Sequence, residues 1–136
     1  MEVKVICDSD VLIDYWDNTK NRHLATKHII NNIIGIDKVL ISAISYMELM
    51  VGVKNKLDLI KVQKNLKTFN FILLSETITK ISLELLNNYR LSHGLSIPDC
   101  MIAATALNTG IELFTYNTKD FIFIENLKLY NAALTK

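Results

Sequence analysis

Residues 5–14 read VICDSDVLID, and the whole chain can be read outward from them. An apolar run (Val3, Val5, Ile6, Cys7) ends at once in Asp8; Asp10 follows, and then the chain turns apolar again. β-Branched apolar runs of this kind form buried strands. A carboxylate at the edge of a core is costly unless something binds it. The stretch therefore predicts a strand that delivers an acid to a site.

The same alternation recurs downstream. Strands are expected at Val3–Cys7, Lys38–Ile44, Phe71–Leu74, Glu112–Tyr116 and Leu127–Tyr130. Between them lie helical apolar stripes. A short helix capped by Ser9 or Asp10 should run through Asp17, and a longer one should cover Arg22–Ile34 and stop at Gly35. Ser45 with Glu48 three residues on has the form of a capping box. Lys56–Thr68 and Thr77–Ser92 carry helical spacing, and Pro98 opens a helix to Asn108 rich in alanine. A helical turn is expected at Lys119–Phe121. Strands alternating with helices predict an α/β fold: a mostly parallel sheet of about five strands with helices on both faces. Sites in such folds form at the carboxyl ends of the strands, where the strand order switches.

Composition sets the frame. The 136 residues, half of them hydrophobic, suit a single domain spanning 1–136 with a substantial core. One proline and four glycines leave no visible linker. The N-terminus lacks the pattern of a secretory signal, and no apolar run approaches the ~18 residues of a membrane span. Cys7 and Cys100 are too few for a disulfide framework, so a reduced, cytoplasmic setting is expected, with no membrane association. The net charge is +1, so any phosphate contact must come from a local patch. Two stretches qualify: Lys20, Arg22 and Lys27 beside His23 and His28, and the run Lys54, Lys56, Lys61, Lys64, Lys67 interrupted by Asp58. The alternative for both is a solvated helix face.

The acids fall where the fold would build a site. Asp8 ends strand one, Glu48 follows strand two, Asp99 lies in the first turn of the Pro98 helix, and Asn117 and Asp120 follow strand four. Each acid has a structural explanation as a cap or a helix-dipole partner. Caps do not explain why an acid recurs at every site-forming end. Crowded carboxylates repel unless a cation joins them. No histidine or cysteine joins the set with ligand spacing, so oxygen donors point to a hard cation, Mg²⁺ or Mn²⁺.

Four blocks carry a resemblance: DSDVLIDYW (Asp8–Trp16), SAISYMEL (Ser42–Leu49), IPDCMIAATAL (Ile97–Leu107) and FTYNTKDF (Phe114–Phe121). In this order, over essentially the whole length, the chain resembles the PIN-domain ribonucleases, and among them the VapC-type toxins of toxin–antitoxin pairs. The resemblance implies a three-layer α/β/α sandwich and a metal-dependent endoribonuclease cutting single-stranded or looped RNA. It implies a homodimer and a cognate antitoxin partner. By position Asp8, Glu48 and Asp99 match the family acids, with Asp8 and Asp99 holding the metal and Glu48 completing the cage directly or through water. Ser9 stands where a supporting hydroxyl is found. The fourth acidic position falls on the uncharged Asn117, and Asp120 is the candidate to substitute for it.

Two other readings have sequence support. Asp8-Ser9-Asp10 has the DxD form of haloacid-dehalogenase-like phosphatases, but Val11-Leu12 follow in place of the expected residues. A non-catalytic PIN-like module that binds RNA or protein is the alternative from a different class. Asn117 favours it, and the Asp8, Glu48, Asp99 set opposes it.

Overall fold

The computed structural model of the protein describes residues 3–132. Its sheet has four strands: β1 (Val5–Cys7), β2 (Val39–Ser42), β3 (Asn70–Ile72) and β4 (Glu112–Phe114). All pair in parallel, in the order β3-β2-β1-β4. Six α-helices surround it: α1 (Ser9–Trp16), α2 (His23–His28), α3 (Ala43–Val51), α4 (Lys56–Leu66), α5 (Glu76–His93) and α6 (Ile97–Thr109).

The layers follow from the period-two alternation of strand side chains. Val5 and Cys7 of β1, Val39 and Ile41 of β2 and Phe114 of β4 enter one core, with Val11, Leu12, Ile29, Ile30 and Leu66. Ile6 and Leu113, which face the other way, enter a second core with Ile78, Leu85, Ile102 and Ala103. Both faces of the sheet are thus covered, and β1 reads as an unbroken apolar run because it is buried on both sides. Removing such a fully buried side chain from water contributes about 1.5–3 kcal/mol. The expected α/β/α sandwich is the fold observed.

Several local expectations shift. The β2–α3 junction lies three residues earlier than the capping box suggests. Ser42 is the N-cap, its side chain accepting from the Ile44 N–H, and Ser45 is buried inside the helix. Glu48 therefore sits in mid-helix, one turn beyond a capping position. Asp8, rather than Ser9 or Asp10, caps α1. The helix expected over Arg22–Ile34 is α2 followed by a wider π-helical turn, Ile29–Ile34, closed by a bond from the Gly35 N–H to the Ile30 carbonyl. Gly35 there adopts φ +95°, a conformation open to glycine. The fifth strand reduces to a single parallel bridge, Leu113 to Leu129, with the Tyr130 N–H bonded to the Leu113 carbonyl. The turn expected at Lys119–Phe121 is a 3₁₀ turn at Thr118–Asp120.

The remaining helices end where their sequences provide caps. Ser75 accepts from Ile78 at the start of α5, and Gly94 closes it in the left-handed region. Ser96 accepts from the Asp99 N–H at the start of α6, whose buried Ala103, Ala104 and Ala106 bring it close to the sheet. Cys7 and Cys100 are both free and buried. Among the described residues, no helix is long and apolar enough to cross a membrane.

Candidate active site

In the order β3-β2-β1-β4 the chain steps outward one way from β1 and returns on its other side as β4. The switch point lies between β1 and β4, and Asp8 follows the carboxyl end of β1 there. Cys7 pairs with Phe114, and the next link of the ladder, from the Asp8 N–H to the Phe114 carbonyl at 2.9 Å, draws Asp8 into the sheet edge. The residue is 5% exposed.

Both carboxylate oxygens of Asp8 are engaged. The Ser9 N–H donates to Oδ1 at 2.8 Å, which is the helix cap. The buried Thr115 hydroxyl donates to Oδ2 at 2.9 Å, and that hydroxyl in turn accepts from the Asn117 N–H at 3.1 Å. Burial, joined by the charges of Asp99 and Glu48, raises the Asp8 pKa to about 6 despite these bonds. The capping explanation is thus correct for Asp8 and incomplete, since a cap alone needs neither Thr115 nor burial.

Asp10 belongs to the same group. Its Oδ2 accepts from the Tyr116 N–H at 3.0 Å, and its Oδ1 from the Val11 N–H at 2.8 Å. Burial first, then the charge of Asp8, raises its pKa to about 6. Glu48 reaches the site from α3, where its Oε1 accepts a long bond from the Ser9 hydroxyl at 3.5 Å. Burial and the charge of Asp99 raise its pKa. Asp99 comes from the first turn of α6, and burial followed by the charges of Asp120 and Asp10 raises it too.

Asp8, Asp10, Glu48 and Asp99 therefore sit in one mutually repelling field at the switch point, with the exposed Asp120 acting on Asp99. Asn117 joins through its backbone, by way of Thr115. Two members escaped sequence reading. The DxD spacing was the available signal for Asp10, whereas nothing in the sequence singles out Thr115.

Among the described residues, no three His, Cys, Asp or Glu side chains already form a metal cage. The donor chemistry nevertheless fits a hard divalent cation, because the neighbouring groups are carboxylates, raised first by burial and then by one another's charges, a repulsion that a cation relieves. An ion such as Mg²⁺ takes one or two carboxylates and keeps several waters, so it needs no closed cage.

Comparison with known proteins agrees with this layout. No curated protein sequence matches the chain. Among solved structures, the chain is similar to a chain of a toxin–antitoxin complex from Klebsiella pneumoniae, with 32% identity, a TM-score of 0.74 and coverage of 95% of this chain and 98% of that one. It also resembles VapBC-1 from nontypeable Haemophilus influenzae, at 22% identity and a TM-score of 0.77 over 96% and 99% of the two chains. VapC20 of Mycobacterium tuberculosis, a sarcin–ricin loop cleaving toxin, shares the fold at 12% identity and a TM-score of 0.69, over 92% and 99%. The PIN domain family model matches residues 5–125, a span that opens on β1 and takes in every acid of the site. By sequence family, by fold and by the acids gathered where β1 and β4 part, the chain belongs to the PIN-domain family.

Proposed function

We propose that the chain is a divalent-metal-dependent endoribonuclease that hydrolyses phosphodiester bonds in single-stranded or looped RNA, acting as the toxin of a toxin–antitoxin pair. The observation that carries this reading is the convergence of Asp8, Glu48 and Asp99 from three separate elements into one shared field. Membership of the PIN family and the toxin–antitoxin complexes among its structural relatives support the biological setting. The phosphatase alternative falls with the family.

Asp8 and Asp99 would hold Mg²⁺ or Mn²⁺, with Glu48 contributing directly or through water. The bound ion would polarise a phosphate oxygen and lower the pKa of a coordinated water. The protein's share is positioning and charge. Thr115 fixes the Asp8 carboxylate from one side and Ser9 from the other. Asp10, held by the Tyr116 and Val11 N–H groups, adds negative charge beside Asp8. Asp120 supplies charge in place of the amide Asn117.

Covalent catalysis by Ser9 finds no histidine base. The three histidines of the chain are engaged elsewhere: His23 Nδ1 with the Asp14 carbonyl, His28 Nδ1 with Asn32, and His93 stacked on Phe123. The Ser9 hydroxyl itself points to Glu48.

The remaining parts of the reading are a single domain over 1–136, a homodimer, a cognate antitoxin and a cytoplasmic location. Exposed apolar residues such as Leu24, Val51, Leu57, Leu91 and Ile122 are the kind of surface that partners cover. The decisive experiment incubates structured and unstructured RNA with the chain in Mg²⁺, in EDTA, and as Asp99→Asn. Internal cuts that need both Mg²⁺ and Asp99 support the nuclease. RNA binding in EDTA with no cutting in Mg²⁺ would make the chain the non-catalytic module instead.

A further inference from the structure

Two cavities, of about 600 Å³ and about 400 Å³, share Trp16, Asn18 and Asn65 in their linings, and the larger also takes in the site acid Glu48. Trp16 is the aromatic member of the boundary they share. The larger cavity begins at Glu48 and lies among α1, α3 and α4; Asp17, Asp58 and Lys61 also line it. The smaller is lined by Tyr15, His23 and Lys27 and, among the described residues, by no acid. The two basic stretches of the sequence, which the acids do not use, thus contribute one lysine to each cavity.

The charges of the two cavities differ in sign. Three carboxylate residues against one lysine make the larger cavity a poor place for a phosphate. They make it a good place for groups that donate hydrogen bonds. Its size is that of a small-molecule site, roughly 300–1,000 Å³. The smaller cavity carries Lys27, a cation that suits a phosphate, with the His23 ring beside it. Between them the half-buried indole of Trp16 is braced by Tyr15, at 6.3 Å between ring centroids, and by Phe69, at 6.1 Å. A braced aromatic loses little freedom when a base stacks on it.

We propose that Trp16 is the stacking platform for one unpaired base of the RNA, which enters the larger cavity beside Glu48, while His23 and Lys27 hold an adjoining backbone phosphate. This rests on the nuclease reading and adds a base preference to it. The acids and amides around the larger cavity accept from the exocyclic amino groups of adenine, cytosine or guanine. Uracil has none, so uridine is the weakest occupant.

Trp16 is the single tryptophan of the chain, so its emission reports the seat directly. The full chain, silenced by Asp99→Asn, is titrated with ten-nucleotide oligo-A, oligo-C and oligo-U, following Trp16 emission and, separately, the anisotropy of labelled RNA. Oligo-A and oligo-C should quench Trp16 and bind about fivefold or more tighter than oligo-U. Lys27→Ala should reduce the slope of log affinity against log salt by about 0.7, the value for one single-strand phosphate contact. Trp16→Leu should weaken binding by about tenfold, within the range for loss of base–aromatic stacking. RNA binding without a change in Trp16 emission overturns the proposal, as does an unchanged salt slope in Lys27→Ala. Emission that changes with protein concentration alone also overturns it and makes the face a contact between copies. The two readings fail separately. If the native chain cuts RNA in Mg²⁺ while Trp16 stays silent, the seat falls and the nuclease stands. If oligo-A quenches Trp16 but no RNA is cut, the seat stands and the nuclease falls.

Discussion

Replacing Asp8 with Asn should make the metal-free protein more stable at pH 8 while abolishing its activity. Asp8 has a pKa of about 6 in the fold, against 3.8 for an unperturbed carboxyl. A raised folded-state pKa means that between about pH 4 and pH 6 the native protein keeps a proton that the unfolded chain has released. Stability then falls as pH rises through that window and stays low above it. A difference of about two pKa units at ~1.4 kcal/mol each makes the ionised Asp8 cost about 3 kcal/mol at pH 8. The side chain is deeply buried, so solvent screens little of this. Asn removes the charge and keeps an oxygen for the Ser9 N–H, but Thr115 loses a charged acceptor. That loss offsets about 1–2 kcal/mol, leaving a net gain of about 1–2 kcal/mol.

The assay is urea unfolding in EDTA from pH 4.5 to pH 8, native against Asp8→Asn. The native curve should decline with pH and the variant curve should be flatter, with the gap closing near pH 4.5. Asp10, Glu48 and Asp99 are all raised, so their ionisation pushes the native curve the same way. The difference between the two proteins reports Asp8 together with its repulsion of Asp10, Glu48 and Asp99. A variant less stable than the native protein at pH 8, or a gap that does not change with pH, would refute the repulsion argument. Saturating Mg²⁺ should raise the native midpoint by linkage and the variant's much less.

Three further substitutions test the surroundings. Thr115→Val leaves Asp8 Oδ2 and the Asn117 N–H without their partner; it should cost about 1–3 kcal/mol in urea unfolding. It should also move the acid limb of the cleavage–pH profile to higher pH, because the Thr115 bond is what lowers the Asp8 pKa most. Arg22→Ala strips the buried Asp14 of its 2.9 Å partner and Tyr116 of the guanidinium 4.1 Å from its ring centroid, so thermal unfolding should show a loss of about 1–2 kcal/mol. Ser45→Ala removes a buried hydroxyl that has no hydrogen-bond partner among the described residues, so it should be neutral or stabilising by up to about 1 kcal/mol in the same melt.

The alternation of apolar strands and helical stripes was legible in the sequence because β1 is buried on both faces, β2 and β4 are largely buried, and helices such as α5 bury one stripe. Boundaries were less so. Ser-x-x-Glu at Ser45–Glu48 satisfies the capping pattern, but Ser42 one turn earlier satisfies a cap as well, and the sequence cannot say which serine the backbone reaches first. Leu127–Tyr130 has the residues of a strand but lies after Asn126, whose φ of +69° turns the chain, and pairing stops at one bridge. The site acids were legible as acids at strand and helix ends. Thr115 and the role of Asp10 were not, because each depends on a hydrogen bond across more than a hundred residues, set by the parallel register of β1 on β4.

That register is also why the repulsion cannot relax. The bond from the Asp8 N–H to the Phe114 carbonyl continues the ladder in which Val5, Ile6 and Cys7 pair with Glu112, Leu113 and Phe114. Moving Asp8 outward into water would break that link and unseat the α1 cap, which uses the same carboxylate. The chain would also lose the bond from the Thr115 hydroxyl to Asp8 Oδ2. Each of these is worth about 0.5–2 kcal/mol, and together they match the ~3 kcal/mol cost of an ionised Asp8. The fold therefore holds the carboxylate in place at neutral pH instead of exposing it. Two routes of relief are left, a proton below about pH 6 or a cation above it. On the proposed metal-dependent reading, such a site would take a divalent ion near neutral pH without a preformed cage, because the hydrogen bonds that fix Asp8 also prevent it from turning away.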